Sequence, residues 1–166
     1  AKPYTAIKFR PAQGECNDFN VGNAIDYCLM RIEEMHFIEI EAQYHLDASK
    51  GVNMLRDFMH EYRDDSYNRI QVGADFNAFK KELLLQKRIE FWGEGILIYD
   101  YKRLDEGITR GYKGTNQASV YCYNSEGRSP QWNIVITRGE FQSNKGITDA
   151  TNNPDPSGTL VLWDGN

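Results

Sequence analysis

Residues 27–46 read YCLMRIEEMHFIEIEAQYHL and contain neither glycine nor proline. Apolar residues recur in this stretch at helical spacing, at positions 28, 32, 35, 42 and 46. Met30, Phe37 and Ile38 widen the apolar face of the helix that this spacing predicts. We therefore expect one long helix, from about Tyr27 to Leu46, with most of its surface buried.

Two more helices are predicted after the first one. Ser49 is a residue type that caps helices, and an apolar stripe at helical spacing follows it. The stripe consists of Val52, Leu55, Met59 and Tyr62. The short connection 47–51 would let these two helices fold back as an antiparallel hairpin. Asp75 can cap a third helix that runs to about Phe91 or Trp92.

The rest of the chain differs in composition from the helical part. Residues 1–26 contain scattered proline and glycine, which is typical of an extended lead-in. After Leu104, glycine interrupts short apolar runs such as 120–123, 133–137 and 159–163. We predict a mostly α (α+β) fold in a single domain over 1–166. Its parts are the lead-in, a helical region over 27–104, and loops with short β-strands over 105–166.

Charge and cysteine content exclude several classes of protein. The chain has 166 residues, with 19 Lys and Arg against 24 Asp and Glu, and a net charge of -5. No basic stripe is available to neutralise phosphates, so nucleic acid is not an expected partner. Cys16, Cys28 and Cys122 lack CxxC spacing, which disfavours zinc, although a disulfide involving Cys16 or Cys28 stays open. We expect no metal site and no cofactor.

Four segments follow one another in the helical part of the chain. They are RIEEMHFIEIEA at 31–42, VNMLR at 52–56, QKRIEFWGEG at 86–95 and YDYKRL at 99–104. Their order, spacing and residue types resemble the SusD/RagB family, as do WNIVI at 132–136 with Glu140 and Asn144, and Asn153-Pro154 near the end. Ile96-Leu97, Thr137 and Asp155-Pro156 depart from the family pattern and put the local loop geometry in doubt.

The resemblance implies both a fold and a function. The fold would be the C-terminal portion of a tetratricopeptide-like (TPR-like) helical scaffold. The parent protein would be an outward-facing lipoprotein of the outer membrane, held only by an N-terminal lipid anchor that is absent from this sequence. It would bind oligosaccharides or polysaccharides without catalysis and deliver them to a SusC-like TonB-dependent transporter. The alternative is a protein-protein interaction module in which the helix hairpin holds a peptide and no sugar.

Charged residues of the predicted helices have two interpretations. Glu34 and Glu41 are seven positions apart, so they share one helix face and could serve as an acid/base pair. Glycoside hydrolysis needs two carboxyl groups about 5 to 9.5 Å apart across a cleft, which one helix face does not supply. We therefore predict no catalytic residues, and a structural charge network instead. Its members are Arg31, Glu34, Glu41, Arg56, Arg88 and Glu90.

Sugar binding favours exposed aromatic faces beside polar side chains on preformed loops. The glycine-rich second half of the sequence offers such residues. The glycan-binding candidates are Tyr112, Asn116, Tyr123, Arg128 and Trp132. Each could instead be a packing residue, above all Trp132, which begins an apolar run. Asp149, Thr151, Asn153 and Asp155 could supply oxygen ligands to calcium, but a proline-bounded turn explains this segment better.

Overall fold

The computed structural model describes residues 8–9, 29–156 and 158–165, and helices dominate this part. The α-helices are α1 (Ile32–Leu46), α2 (Ala48–Tyr62), α3 (Phe76–Glu90), α4 (Leu97–Arg103) and α5 (Arg138–Ser143). Two short 3₁₀ helices, Ser119–Tyr121 and Pro130–Trp132, lie between α4 and α5. The predicted mostly α fold is confirmed. Apart from Lys8 and Phe9, the predicted lead-in 1–26 lies outside the described residues, and so do Cys16 and Cys28.

Helix α1 starts later than the sequence predicted. Tyr27 lies outside the described residues, and the helix begins at Ile32 after an extended Arg31 with φ -131° and ψ 151°. Glu33 and Glu34 fall in the first turn, where a carboxylate is stabilised by the positive end of the helix dipole. The two acidic residues thus favour a helix start here rather than at the preceding apolar positions.

Helices α1 and α2 form the predicted antiparallel hairpin. At its closed end, Gly51 lies directly against the backbone of Tyr44. At its open end, Nη2 of Arg63 lies 3.4 Å from Oε1 of Glu33. The start of one helix therefore meets the end of the other.

The helix caps correct one prediction and confirm another. Asp47, not Ser49, caps α2, because the Lys50 N–H donates to Asp47 Oδ1 at 3.1 Å. Since Ser49 is already helical, Asp47 alone separates the two helices. Asp75 caps α3 as predicted and accepts a hydrogen bond from the Ala78 N–H at 2.8 Å.

The predicted burial of α1 is wrong for one face. Its buried residues are Phe37, Ile40, Glu41 and Tyr44. The expected stripe of Ile32, Met35, Ala42 and Leu46 is exposed. The helix carries two apolar faces, and the one with the aromatic rings packs inward because large rings remove the most apolar area from water.

Contacts within the chain define two compact units, Ala1–Leu83 and Leu84–Asn166, with the boundary inside α3. In the first unit, Val52, Leu55 and Phe79 are wholly buried. The ring of Tyr44 stacks on Phe79 with centroids 4.0 Å apart, and its hydroxyl donates to the Ala74 carbonyl at 2.9 Å. Aromatic stacking and a satisfied hydroxyl together join the hairpin to the start of α3.

The prediction of short strands in the second unit is wrong for the described residues. Among the described residues, β-pairing is limited to two isolated bridges, Thr109 with Asn124 and Tyr123 with Leu162. Over 133–137, side-chain amides bond the backbone in place of a neighbouring strand: Asn152 bonds both the N–H and the carbonyl of Ile136, at 2.9 and 3.1 Å. Because these side chains satisfy the backbone locally, no ladder is needed. In the described part, no helix has the length and apolar character needed to cross a membrane.

Candidate functional site

An open cleft of about 540 Å³ lies in the second unit. Its walls come from the end of α3, from α4, and from the loop 107–117. The side chains that give it its chemical character are Arg88, Tyr101, Arg110, Tyr112, Thr115 and Gln117. The cleft therefore combines aromatic rings with hydrogen-bond donors of both charged and neutral kinds.

The Asn124 side chain fixes the loop wall of this cleft. Its Oδ1 accepts from the N–H groups of Arg110 and Gly111 at 3.0 and 2.9 Å, and its Nδ2 donates to the Gly111 carbonyl at 3.0 Å. The Ser125 N–H donates to the Ile108 carbonyl at 2.9 Å. With its backbone held in this way, the wall is already in place before any ligand arrives.

Two glycines let the wall pack closely on its support. A Cβ atom on Gly107 would lie 1.8 Å from the Ser125 carbonyl oxygen. A Cβ on Gly111 would lie 2.2 Å from Cβ of Trp163. The sequence marked these glycines only as breaks between apolar runs, whereas the structure shows that close approach excludes any side chain there.

Of the five predicted sugar-binding residues, only Tyr112 is among the residues that line the cleft. Its side chain is 52% exposed. Tyr123 is half-buried, with the Arg110 guanidinium 5.4 Å from its ring centroid. Asn116 is exposed on the same loop. Tyr112 is thus the candidate whose ring could receive a sugar in this cleft.

Arg128 and Trp132 make contacts elsewhere in the second unit. The Arg128 guanidinium donates to Asn133 Oδ1 at 3.0 Å. Trp132 is half-buried, with its ring 6.2 Å from that of Tyr101 in an edge arrangement. Its carbonyl accepts from Lys102 Nζ at 3.1 Å. For Trp132, these contacts are those of a packing residue.

Sequence reasoning missed Tyr101 and Arg110 and assigned Arg88 to the charge network. The alternation Arg110-Gly-Tyr112 was the available signal, because residues two apart in an extended loop project to the same side. Arg88 could not be placed by sequence, since its position depends on how the loop folds beside α3.

Ion pairs in the described part include residues that the sequence did not single out. Glu33 pairs with Arg31 at 3.3 Å as well as with Arg63, and Asp100 pairs with Lys87 at 2.9 Å and with Arg103 at 2.6 Å. Of the predicted network, Glu41 is buried in α1, whereas Glu34, Arg56 and Glu90 are half-buried. Arg88 is exposed and lies on the cleft. The network stays a prediction.

Tyr67 and Glu82 form a buried polar contact in the first unit. The Tyr67 hydroxyl donates to Glu82 Oε1 at 3.0 Å, and Arg69 Nε donates to the same oxygen at 3.0 Å. Burial, together with the negative charge of Glu82, raises the pKa of Tyr67 above its ordinary value. Tyr67 is only 3% exposed, so its hydroxyl is inaccessible to a ligand. The contact between Tyr67 and Glu82 therefore has a structural role.

Two smaller clefts lie elsewhere on the described surface. One, of about 240 Å³ in the first unit, is lined by Glu33, His36 and Tyr62 among others. The other, of about 420 Å³ in the second unit, includes Asp149 and Asp155, two of the possible calcium ligands. No group of three His, Cys, Asp or Glu side chains that could hold a metal occurs in the described ranges.

No protein-family model matches the chain, and neither a curated protein nor a solved structure matches it. The class of protein is therefore described from its fold and from the side chains that line its cleft. The chain is a mostly α protein with an open, preformed cleft of aromatic and hydrogen-bonding side chains.

Proposed function

We propose that this chain is a non-catalytic oligosaccharide-binding module, and that the sugar binds in the cleft of the second unit. The observation that carries the proposal is the half-exposed ring of Tyr112 beside the donors of Arg110 and Gln117. A sugar ring presents an apolar face to an aromatic ring and hydroxyl groups to polar side chains. The cleft offers both kinds of partner on one wall.

The size and lining of the cleft support binding rather than hydrolysis. Its volume of about 540 Å³ lies within the range of about 300 to 1,000 Å³ that ligand sites occupy. The described residues that line it include no Asp or Glu. A glycosidase of the usual kind needs two carboxyl groups across its cleft.

The resemblance to SusD/RagB proteins extends the proposal to the setting of the parent protein. There the module would face outward from the outer membrane on a lipid-anchored protein and pass oligosaccharides to a SusC-like TonB-dependent transporter. This part of the proposal rests on the four sequence segments in the helical region, and above all on QKRIEFWGEG at 86–95.

A second candidate function is a protein-protein interaction module, and the open face of α1 favours it. Ile32 and Leu46 are among the most exposed large apolar residues of the described chain, and Met35 lies between them. An apolar helix face of this kind can receive an amphipathic helix. Binding of a peptide to α1 and binding of a sugar to the cleft would involve different residues.

Titration calorimetry with plant, host and microbial oligosaccharides tests the primary proposal. We expect one class of sugar to bind, and Tyr112→Ala to weaken that binding at least about tenfold, which corresponds to ~1.4 kcal/mol. Tyr99→Ala is the matched control, because Tyr99 is an exposed tyrosine of α4 that does not line the cleft. Absence of binding across the panel, or equal loss in both variants, would contradict the proposal.

A further inference from the structure

The charge of the cleft is opposite to that of the whole chain. The chain has a net charge of -5. Two arginines, Arg88 and Arg110, line the cleft, whereas none of its described lining residues is acidic. In the described part, neither guanidinium lies within ion-pair distance of a carboxylate. The cleft is therefore a local concentration of uncompensated positive charge.

Two of the acidic side chains that lie between Arg88 and Arg110 in sequence are engaged by other donors. Asp100 accepts from Lys87 and Arg103, both within 2.9 Å. Asp105 Oδ1 accepts the Arg128 N–H at 2.9 Å. Neither of these two carboxylates pairs with Arg88 or Arg110, whose guanidinium groups remain available to a ligand.

Arg110 is held in position for a ligand before binding. Its backbone N–H is fixed by Asn124, and its guanidinium lies 5.4 Å from the centroid of the Tyr123 ring. A guanidinium over a ring is oriented by the cation-π attraction and keeps its edge N–H groups free to donate. Such a fork matches a carboxylate or a sulfate, with two parallel hydrogen bonds.

A neutral sugar would leave two charged groups partly desolvated without a charged partner, which is unfavourable. An acidic sugar would pair with them. We infer that the ligand of this cleft is an acidic oligosaccharide, whose carboxylate or sulfate ester is bound by Arg88 and Arg110 while a ring of the sugar lies on Tyr112. This inference rests on the proposed function and names the substrate class of the same site.

Titration calorimetry with paired oligosaccharides tests the inference without changing the protein. Tetragalacturonic acid is compared with its methyl ester, and a carrageenan tetrasaccharide with its desulfated, neutral form, beside neutral oligosaccharides of the general panel. The first pair tests a carboxylate and the second a sulfate ester. We expect at least one acidic member to bind about tenfold or more tightly than its pair, as hydrogen bonds to charged groups predict. The difference should shrink as salt is raised, because salt screens the open cleft.

Substitutions then assign the preference to the two arginines. Arg88→Gln and Arg110→Gln should each reduce the preference for the acidic member, whereas Arg128→Gln should leave it unchanged. Arg128 is the matched control because its guanidinium bonds Asn133 and does not line the cleft.

The possible failures can be told apart. Equal binding of acidic and neutral members, or a preference that survives both substitutions, would overturn the inference and leave sugar binding in place. Binding by no oligosaccharide of the whole panel would instead overturn the proposed function, and this inference with it.

Discussion

Gly51 is the residue on which the close approach of α1 and α2 depends. It is buried, and a Cβ at this position would lie 2.4 Å from Cα of Tyr44. Backbone atoms cannot move aside as the end of a flexible side chain can. The helices could accept a methyl group here only by separating, which would disturb the stack of Tyr44 on Phe79.

We expect Gly51→Ala to lower the free energy of unfolding by about 1 to 3 kcal/mol or more, as overpacking does, although alanine is the better helix former. Urea denaturation followed by circular dichroism would measure the change. Gly139→Ala is the matched control, since Gly139 lies in α5 with nothing within 4 Å of the added Cβ. A stability equal to the parent in Gly51→Ala would contradict the packing described.

Tyr67 makes stability depend on pH in the alkaline range. The pKa of Tyr67 in the folded chain is raised above the ordinary tyrosine value of about 10. Its contribution is therefore complete below pH ~10 and is lost as the pH rises further, because only the unfolded chain then ionises this tyrosine.

We expect the free energy of unfolding to fall above pH ~10, and to fall less in Tyr67→Phe. Urea denaturation on both sides of this pH would show it. Tyr99→Phe, at an exposed tyrosine, should retain the slope of the parent. If Tyr67→Phe also retains that slope, the contact between Tyr67 and Glu82 does not control the alkaline response.

At the scale of single elements, α1 is a helix with two apolar faces, of which one is covered. Ile40 is 2% exposed, whereas Ile38, two positions earlier, is 49% exposed. Periodicity predicted the helix but not its rotation, because both faces satisfy the same spacing rule. What selects the buried face is the set of rings on α1, α2 and α3 that pack together, which requires the tertiary structure.

The two isoleucines give a matched pair of substitutions in one helix. We expect Ile40→Ala to cost about 2 to 5 kcal/mol of unfolding free energy, as buried isoleucines do. Ile38→Ala should cost well under half of that. Chemical denaturation of both variants measures the difference. Equal losses would indicate that the outer face of α1 is covered in solution.

At the scale of the whole molecule, helices were more predictable from sequence than the site. The apolar stripe that includes Val52 and Leu55 predicts α2, and the cap Asp75 predicts the start of α3. Both are local signals, so the sequence alone was enough to predict these two helices. The cleft depends on Asn124 holding a loop that begins near residue 107, a contact that no local pattern encodes. Tyr112 could be proposed from its residue type. That Arg88 and Arg110 line the same cleft as Tyr112 could be seen only in the folded chain.

Net charge and exposed apolar surface together predict the pH of poorest solubility. The isoelectric point is about 5.2, and Ile32, Leu46 and Ile134 are strongly exposed. Charge repulsion between copies vanishes near this pH while the apolar residues remain, so we expect light scattering to peak there. Ile32→Gln with Leu46→Gln should reduce the peak, whereas Ser49→Gln, an exposed polar control, should not. An unchanged peak would show that other surfaces cause association.

The single residue between α1 and α2 also bears on the order of folding. Because Asp47 alone separates the helices, residues such as Tyr44 and Gly51 come into contact across a very short loop. Closing a short loop costs little conformational entropy of the chain. The bridges of the second unit join residues much farther apart in sequence, such as Tyr123 and Leu162. Contacts between near neighbours form fastest. The hairpin is therefore expected to fold early, and the loops that shape the cleft to form last.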